Sequence, residues 1–374
     1  MSGKVSIVLD ATYAAYPDRT GTGIYSENLI RALIRTIPKQ TLDSYSVTLA
    51  FRPGPFVKWA WRQRWPFHIA PLLDSGLRYP GSALFHGLNQ RLPKKAYPLQ
   101  VATLHERYPM PSDDYSVSEF RRHMDRRIDW AITRSDRIIA VSSAVREHLR
   151  EHRPELDHKV RVIHHGVEAP TPVAAHEMAA FRERVLRLAP DRPYFLNIGA
   201  VQTRKNLDGI VAAMKTIRGS ILAVAGADGY GASEIRSMIA KEGMSERVRF
   251  LGHIDHSNLR LLYSTALALV FPSFEEAFGL PVLEAMSYGL PVITSNVTGM
   301  PEVAGDAALL VDPRQVEQIA EAMTRVLEDA QLREQLSIKG RKRAAQFTWE
   351  RCAEQTWAVY EELLRIRPSG GGQP

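Results

Sequence analysis

Two carboxylates, Glu276 and Glu284, flank a Gly-Leu-Pro turn in the stretch FEEAFGLPVLEAMSYGLPV (274–292). An apolar run that predicts a strand precedes the turn, Pro281 predicts the start of a helix, and Gly289 predicts its end. We therefore expect Glu276 in a strand-to-helix loop and Glu284 in about the first helical turn, near free N–H groups. Carboxylates accept hydrogen bonds from hydroxyls, so the pair suits a polyhydroxy ligand. The alternative is one helix-capping and one solvated glutamate.

A pair of cations, Arg204 and Lys205, occupies a similar position in NIGAVQTRKNLDGI (197–210), after a predicted strand and before a predicted helix. Two positive side chains beside a helix N-terminus suit a diphosphate. The cations belong to the same series of strands as Glu276, so we expect them at a neighbouring strand end. The alternative is two surface cations.

Two weaker candidates lie in the first half of the chain. Gly21 and Gly23, in RTGTGIYSENLI, are predicted between the first strand and a helix, as in a phosphate-approach turn, although the full G-x-G-x-x-G pattern is absent. His105 ends the predicted strand VATLHE, and polar residues at that end of a parallel strand face the binding edge of the sheet. His86 has an equivalent position and a weaker claim. A buried structural histidine is the alternative for both.

Several chemistries are disfavoured by the sequence. It contains no Asp-x-Asp pair, the motif that usually binds the divalent cation of a nucleotide diphosphate. We therefore expect neither a metal nor a cofactor. The stretch HLREH (148–152) matches a zinc pattern, but it lies just before Pro154 with no third ligand evident. P-loop, G-x-S-x-G and kinase motifs are absent.

The elements that must position these residues alternate along the chain. Near-continuous apolar runs predict parallel strands, with amphipathic helices between them, as in a doubly wound α/β sheet. The predicted strands are 5–11, 46–51, 82–88, 100–106, 137–143, 160–166, 194–200, 220–227, 248–254, 266–273, 291–295 and 308–312.

A Pro- and Ala-rich stretch at 167–192, with a helix at about 177–188, divides the strands into two series. We predict Rossmann-like domains at 1–170 and 190–345, with ligands bound in a cleft between them. The helix at about 348–366 is expected to close the chain before a disordered tail.

The charge is concentrated in the first half. The net charge is +7, and residues 51–100 carry eight Lys and Arg but a single acid, Asp74. Tryptophans interleaved with cations at 51–65 suit an anionic membrane surface, although a solvated basic face with inward-packed Trp is the alternative. Nucleic-acid modules are absent, so nucleic acid is not an expected partner.

The composition predicts an ordinary globular protein. Hydrophobic residues make up 45% and charged residues 24% of the chain, and no apolar run is long enough for a membrane span. The first residues do not follow the pattern of a signal peptide, and the chain has a single cysteine, Cys352. Both features favour a cytoplasmic protein. If segment 51–65 binds lipid, we expect the protein to be peripheral at the inner membrane face.

These motifs together resemble the retaining glycosyltransferases of family 4, which have the GT-B fold. The resemblance rests on FPSFEEAFGLPVLEAMSYGLPVITSNVTGMPEVAGDAALLVDP with its Glu-x7-Glu pair, on GAVQTRKNL, GTGIYSENL and VATLHE, and on FTWERCAEQTWAVYEELL near the end. It covers nearly the whole chain and is stronger from 190 to 350 than before 170. It implies that 1–170 is the acceptor domain, joined by the helix at about 348–366, and that 190–345 binds the sugar nucleotide. Glu106 after His105, and EEAFG where EGFG is commoner, are departures from the family pattern.

The resemblance implies roles for individual residues. Glu284 would bind the ribose of a sugar nucleotide, Glu276 would lie near the donor sugar and diphosphate, and Arg204 and Lys205 would hold the leaving diphosphate. His105 would contact the donor sugar, and Gly23, with Gly21, would make room for the phosphates. The donor would also meet Phe278, Gly279 and Leu280 at the turn, and backbone near His253 and Ile254 would contact the base.

The expected reaction is metal-independent transfer of a hexose with retention of configuration, from a GDP- or UDP-linked sugar to a glycan or lipid-linked oligosaccharide. The residues of these motifs most resemble those of bacterial mannosyl- and rhamnosyltransferases of surface polysaccharide assembly. GDP-mannose is the first expectation for the donor, ahead of UDP-glucose and UDP-GlcNAc. A sugar-nucleotide epimerase, a phosphorylase of the same fold and a non-catalytic sugar-nucleotide-binding protein are the alternatives.

Overall fold

The structure is a computed structural model that describes residues 4–16, 21–52, 65–72, 81–94, 97–110, 116–189 and 192–366. The chain forms two compact units. It passes from the first to the second at Gly166 and Val167, and it returns at Phe347 and Thr348. Residues 167–347 therefore form an insertion in the sequence of the first unit.

Each unit is built on a sheet in which every pairing is parallel. The first has the order β3-β2-β1-β4-β5-β6-β7 and the second the order β10-β9-β8-β11-β12-β13. The strands are β1 Val5–Asp10, β2 Tyr45–Phe51, β3 His68–Pro71, β4 Ser82–Gly87, β5 Leu99–Leu104, β6 Arg137–Ala140, β7 Val160–Val162, β8 Tyr194–Ile198, β9 Ile221–Ala225, β10 Val248–Gly252, β11 Ala268–Phe271, β12 Val292–Ser295 and β13 Leu309–Val311.

Helices connect these strands, and three short 3₁₀ turns lie at Thr12–Ala15, Pro154–Lys159 and Thr203–Lys205. The helices of the described residues are α1 Gly21–Thr36, α2 Lys39–Asp43, α3 Ser118–Arg134, α4 Ser143–His152, α5 Ala175–Arg184, α6 Leu207–Met214, α7 Ala232–Lys241, α8 His256–Thr265, α9 Leu280–Tyr288, α10 Met300–Ala304, α11 Val316–Glu328, α12 Ala330–Ala344 and α13 Trp349–Ile366. None of them is long and apolar enough to cross a membrane.

The doubly wound α/β architecture predicted from the apolar runs is confirmed, and all twelve predicted strands are present. Most end earlier than predicted, because the polar residues that close each apolar run already belong to the loops. Strand β3 was missed in the sequence. It pairs only with β2 at the sheet edge and is largely exposed, so it has no continuous apolar run.

Three local predictions are corrected. Gly21 and Gly23 lie in the first turn of α1 rather than ahead of it. Glu284 is the fifth residue of α9, so it lies in the second turn and not the first. The helix predicted at 177–188 spans Ala175–Arg184, because the Glu177 carboxylate accepts a hydrogen bond from the Ala174 N–H (3.1 Å) and caps an earlier start.

The basic, tryptophan-bearing segment 51–65 lies mostly outside the described residues, which stop at Arg52 and resume at Trp65. The Trp65 ring lies under the guanidinium of Arg31 on α1, with 5.0 Å between Cζ and the ring centroid. The membrane-surface hypothesis for this segment stays a prediction.

Helix α13 is anchored to the first unit along its length. A Cβ on Gly166 would lie 2.1 Å from the backbone N of Trp349, so only glycine permits this close approach. Further along, the Glu362 carboxylate accepts hydrogen bonds from Arg137 (2.6 Å) and Arg161 (2.8 Å). The buried Tyr360 hydroxyl is hydrogen-bonded to Nδ1 of His86 on β4 at 2.5 Å.

We expect Tyr360→Phe to destabilise the fold by about 1–3 kcal/mol, because Nδ1 of the buried His86 loses its partner. Thermal unfolding followed by circular dichroism measures the effect. Tyr45→Phe is the matched control, since the Tyr45 ring packs on Trp357 of the same helix (centroids 5.0 Å apart) and its hydroxyl makes no hydrogen bond to the described residues. Equal melting temperatures for the two variants would contradict the prediction.

Candidate active site

Asn206 organises the loop that carries the two candidate cations. It adopts a left-handed conformation (φ 56°) directly after the 3₁₀ turn Thr203–Lys205, and its Oδ1 caps α6 by accepting from the Gly209 N–H (3.2 Å). Its Nδ2 donates to the carbonyls of Pro272 (3.1 Å) and Pro313 (2.6 Å). One buried amide therefore ties this turn to the loops after β11 and β13.

The loop that carries Glu276 is bonded to the same turn through backbone groups. The Phe274 N–H donates to the carbonyl of Arg204 (2.9 Å), and the Arg204 guanidinium donates to the carbonyl of Glu275 (2.9 Å). On the other side, the Glu276 N–H donates to Oγ1 of Thr298 (3.1 Å). Each side chain of the site is thus fixed by a neighbouring loop.

The structure brings Glu276, Arg204 and Lys205 together. The carboxylate Oε1 of Glu276 pairs with Nζ of Lys205 and lies 3.1 Å from Nη1 of Arg204. Glu276 is 9% and Lys205 7% exposed, and Nζ of Lys205 lies 4.5 Å from the centroid of the Phe271 ring. Burial by itself would raise the pKa of the Glu276 carboxyl, but the two cations lower it overall. The cluster is therefore an ionised carboxylate with two cations, one positive charge in excess.

Glu284 has a different environment from that cluster. Its Oε2 accepts a hydrogen bond from the Tyr263 hydroxyl (2.6 Å), and the Tyr263 ring stacks on Tyr288 with centroids 5.5 Å apart. The residue is partly buried overall, yet burial of the carboxyl group raises its pKa to about 7, partly offset by the Tyr263 hydrogen bond. Glu284 therefore titrates close to neutral pH.

The other second-unit candidates lie on loops around α9 and α8. Gly279, with φ 110°, precedes α9 in a conformation that favours glycine, and its carbonyl accepts from the Val282 N–H (3.0 Å). Phe278 and Leu280 on either side are buried. His253 and Ile254 lie in the loop between β10 and α8, where His253 is exposed.

In the first unit, His105 follows β5 and is buried. Its Nε2 donates to the carbonyl of Leu88 (3.0 Å), so the neutral ring carries its lone pair on Nδ1. Burial lowers the pKa of His105 to about 4, which keeps it neutral at physiological pH. The rings of Tyr25 and His165 lie 4.7 and 5.4 Å from its ring, centroid to centroid.

His86 belongs to a buried hydrogen-bond chain rather than to an exposed strand end. Its Nε2 lies 2.8 Å from Oγ1 of Thr103, and that oxygen lies 3.0 Å from the Tyr25 hydroxyl. Burial lowers the pKa of His86 to about 3, so it too is neutral. The chain runs from Tyr360 on α13 to Tyr25, whose ring packs edge-on against His105.

The sequence did not single out Tyr25, Thr103 or His165 as candidate site residues. A signal existed for His165, because it lies near the end of the predicted strand VRVIHHG, as His105 does in VATLHE. Tyr25 and Thr103 carried none, since an aromatic residue in a helix and a threonine in a strand are ordinary core residues.

The zinc pattern at 148–152 does not form a ready metal site. Ligand atoms of His148, Glu151 and His152 lie within 4.8 Å of one another. However, Nδ1 of His148 lies 2.8 Å from the Arg107 guanidinium, and its Nε2 lies 3.0 Å from the carbonyl of Pro109. Both ring nitrogens of His148 are therefore engaged.

The fold is shared with solved glycosyltransferases. A sucrose-phosphate synthase from Thermosynechococcus elongatus superposes with a TM-score of 0.74 over 97% of this chain and 100% of that one, at 24% identity. Two all-parallel α/β units of this kind define the GT-B class of glycosyltransferases, as predicted from the sequence.

Two glycosyltransferase family models match consecutive parts of the chain. The family model "Glycosyl transferases group 1" matches residues 180–343, and "Glycosyltransferase Family 4" matches residues 76–169. An O-antigen chain mannosyltransferase of Escherichia coli is 29% identical over 75% of this chain and 74% of its own length. Another, of Salmonella typhimurium, is 26% identical over 60% and 63%.

We expect Tyr263→Phe to raise the pKa of Glu284 above its value of about 7, because the lost hydrogen bond favours the ionised carboxylate. Carboxyl ¹³C resonances followed through a pH titration measure the shift. Tyr288→Phe is the control, since that ring is on the far side of Tyr263 and donates no hydrogen bond to Glu284. A pKa for Tyr263→Phe equal to or below that of the wild type would refute the assigned contact.

Proposed function

We propose that this glycosyltransferase moves a hexose, mannose from GDP-mannose in the first instance, to a glycan or lipid-linked acceptor without a metal and with retention of configuration. The observation that carries the proposal is the cluster of the buried Glu276 and Lys205 with the half-buried Arg204, on two adjacent loops. A cluster with an excess positive charge, held in place by backbone hydrogen bonds, suits a diphosphate.

In this proposal Arg204 and Lys205 stabilise the negative charge that grows on the departing diphosphate. Their positions are fixed before the reaction by Asn206 and by the carboxylate of Glu276, so little reorganisation is needed. The carboxylate of Glu276 also offsets the cost of burying the Lys205 ammonium, because it supplies an opposite charge in direct contact. In this proposal Glu276 holds the two cations and contacts the donor sugar.

In the same proposal Glu284 binds the ribose hydroxyls of the donor. A carboxylate that already accepts one hydrogen bond from Tyr263 retains lone pairs for two further hydroxyl donors. Phe278, Gly279, Leu280, His253 and Ile254 complete the proposed donor site. His105, Gly21 and Gly23 keep the roles that the family resemblance implies, and the neutral His105 ring has its Nδ1 lone pair to accept from a sugar hydroxyl.

The proposed reaction proceeds on one face of the sugar. The bond from C1 to the diphosphate oxygen breaks, the acceptor oxygen bonds to C1, and the acceptor proton passes to the leaving diphosphate. This route needs no carboxylate as a covalent nucleophile. It also gives retention, because the acceptor enters on the face from which the diphosphate leaves.

Mannose is favoured as the transferred sugar because two relatives are named O-antigen chain mannosyltransferases. UDP-glucose and UDP-GlcNAc are the other donors to be compared. A lipid-linked acceptor at the inner membrane face would fit the basic residues and tryptophans of segment 51–65. Incubation with donor alone separates transfer from epimerisation.

We expect calorimetry and a nucleotide-release assay to single out one donor among GDP-mannose, UDP-glucose and UDP-GlcNAc.

Lys205→Ala should lower turnover about 100-fold, as the loss of one oxyanion donor does. Glu284→Ala should weaken donor binding about tenfold, because charge-assisted hydrogen bonds are lost. Lys215→Ala, which removes an exposed lysine paired with Glu242 in the same unit, is the control. Normal affinity and turnover in the first two variants would refute the site.

We also expect donor affinity to rise with pH between 6 and 8. Glu284, with a pKa of about 7, accepts hydroxyl hydrogen bonds when ionised, and protonation below pH 7 removes that capacity. Affinity should be about tenfold weaker at pH 6 than at pH 8, in proportion to the ionised fraction. Glu284→Gln should bind weakly and show no such dependence. An unchanged slope in Glu284→Gln would assign the titration to another group.

A further inference from the structure

Arginines converge at one edge of the first-unit sheet. Arg52 follows β2, Arg91 comes four residues after the end of β4, and Arg127 lies on α3. Tyr13, just after β1, connects two of them: its ring centroid lies 5.5 Å from Cζ of Arg91, and its side chain is hydrogen-bonded to Arg127. Since β2, β1 and β4 are neighbours in a parallel sheet, their carboxyl ends meet at this edge.

The position of Arg91 is set by a tight turn. A Cβ on Gly87 would lie 2.0 Å from the Arg91 carbonyl oxygen, and the Arg91 N–H donates to the carbonyl of Asn89 (2.8 Å). Next to Tyr13, Thr12 is held by Asp10, whose Oδ1 accepts from the Thr12 N–H (3.1 Å) and hydroxyl (2.5 Å). Both loops are therefore shaped by close contacts and not by the arginines themselves.

The charges of Arg91 and Arg127 are not balanced by acids. Within the described part of the chain, neither guanidinium has a carboxylate at ion-pairing distance, and the Nε atoms of both are buried without a hydrogen-bond partner. The positive charges of Arg91 and Arg52 disfavour the charged form of the Arg127 guanidinium, whereas the Tyr13 side chain favours it. Other arginines of this unit do pair, as Arg137 does with Glu362 and Arg146 with Asp157.

A neutral polar group beside the arginines is also unsatisfied. Asn89 is 1% exposed, and neither its Oδ1 nor its Nδ2 has a hydrogen-bond partner among the described residues. Leaving a buried amide unpaired costs about 1–3 kcal/mol, so such groups usually serve a ligand or another function. Unpaired positive charge and an unpaired amide donor in one loop both suit an anion.

We infer that Arg91 and Arg127, with Tyr13 and Asn89, form a binding site for a phosphoryl group at the carboxyl edge of the first-unit sheet. Guanidinium groups match the oxygens of a phosphate in pairs, and Asn89 adds an N–H donor. These residues all belong to the first unit, whereas Arg204 and Lys205 belong to the second. If the proposed function holds, on which this step rests, the phosphoryl group belongs to the acceptor, and the acceptor is a phosphorylated glycan or lipid.

Calorimetric titration with inorganic phosphate tests the site in the full chain. We expect Arg91→Gln/Arg127→Gln to weaken phosphate binding at least about tenfold, since charge-assisted hydrogen bonds are lost. The matched control is Arg122→Gln/Arg126→Gln, which removes the same charge from exposed positions on α3. Arg91→Lys/Arg127→Lys keeps the charge and should bind with intermediate affinity. Thermal unfolding verifies that each variant is folded.

A second variant separates this site from the donor site. Lys205→Ala should retain the phosphate binding that Arg91→Gln/Arg127→Gln loses. If phosphate binding disappears in Lys205→Ala alone, or falls equally in the exposed-arginine control, the inferred site is wrong while the proposed function stands. If Lys205→Ala leaves donor turnover unchanged, the proposed function fails while this titration still decides the phosphoryl site.

The source of the phosphoryl group is decided by two probes. Glucose 6-phosphate represents a soluble phosphate ester, and phosphatidylglycerol vesicles represent a lipid headgroup, with phosphatidylcholine vesicles as the neutral control. Binding of either anionic probe that depends on Arg91 and Arg127 supports the site. Binding of neither, or binding unaffected by Arg91→Gln/Arg127→Gln, overturns it.

Discussion

The pairing of the Glu276 carboxylate with Lys205 and Arg204 is the constraint on which the candidate site depends. Glu276 and Lys205 are buried, where either ion alone would be costly, and Arg204 beside them is half-buried. Together they stay charged, because each satisfies the others, and the pKa of Glu276 falls despite its burial. The surrounding backbone bonds, from Phe274 to Arg204 and from Glu276 to Thr298, keep the three from separating.

The two units use opposite electrostatics at the residues that the family resemblance singles out. In the second unit Glu276, Arg204 and Lys205 are ionised and paired. In the first unit His86 and His105 are buried and neutral, and they are linked to Tyr25 and Thr103 by hydrogen bonds or ring contacts without a formal charge. A neutral ring with one fixed N–H and one fixed lone pair can orient a sugar hydroxyl without competing for the diphosphate.

Much of the fold and of the candidate site could be predicted from the sequence, because the patterns that predict them lie in short stretches of the chain. Apolar runs located twelve strands, and the position of Lys205 and Glu276 after neighbouring strands predicted that they lie close together. The exact turn of Glu284 was wrong, since Pro281 marks a helix start only within a few residues. The bond from Tyr360 to His86 joins residues 274 positions apart, and no local pattern encodes it. Arg91 and Arg127 are likewise brought together only by the order of the strands in the sheet, which no local pattern encodes.

The return of the chain to the first unit has a consequence for how the protein is made. Residues 167–347 interrupt the sequence of that unit, and α13 supplies Trp349 and Tyr360 after them. On the ribosome the inserted unit is therefore complete before the partner of His86 has been synthesised. The first unit is a discontinuous domain, and its buried histidine must wait through the synthesis of the entire insertion for its hydrogen bond.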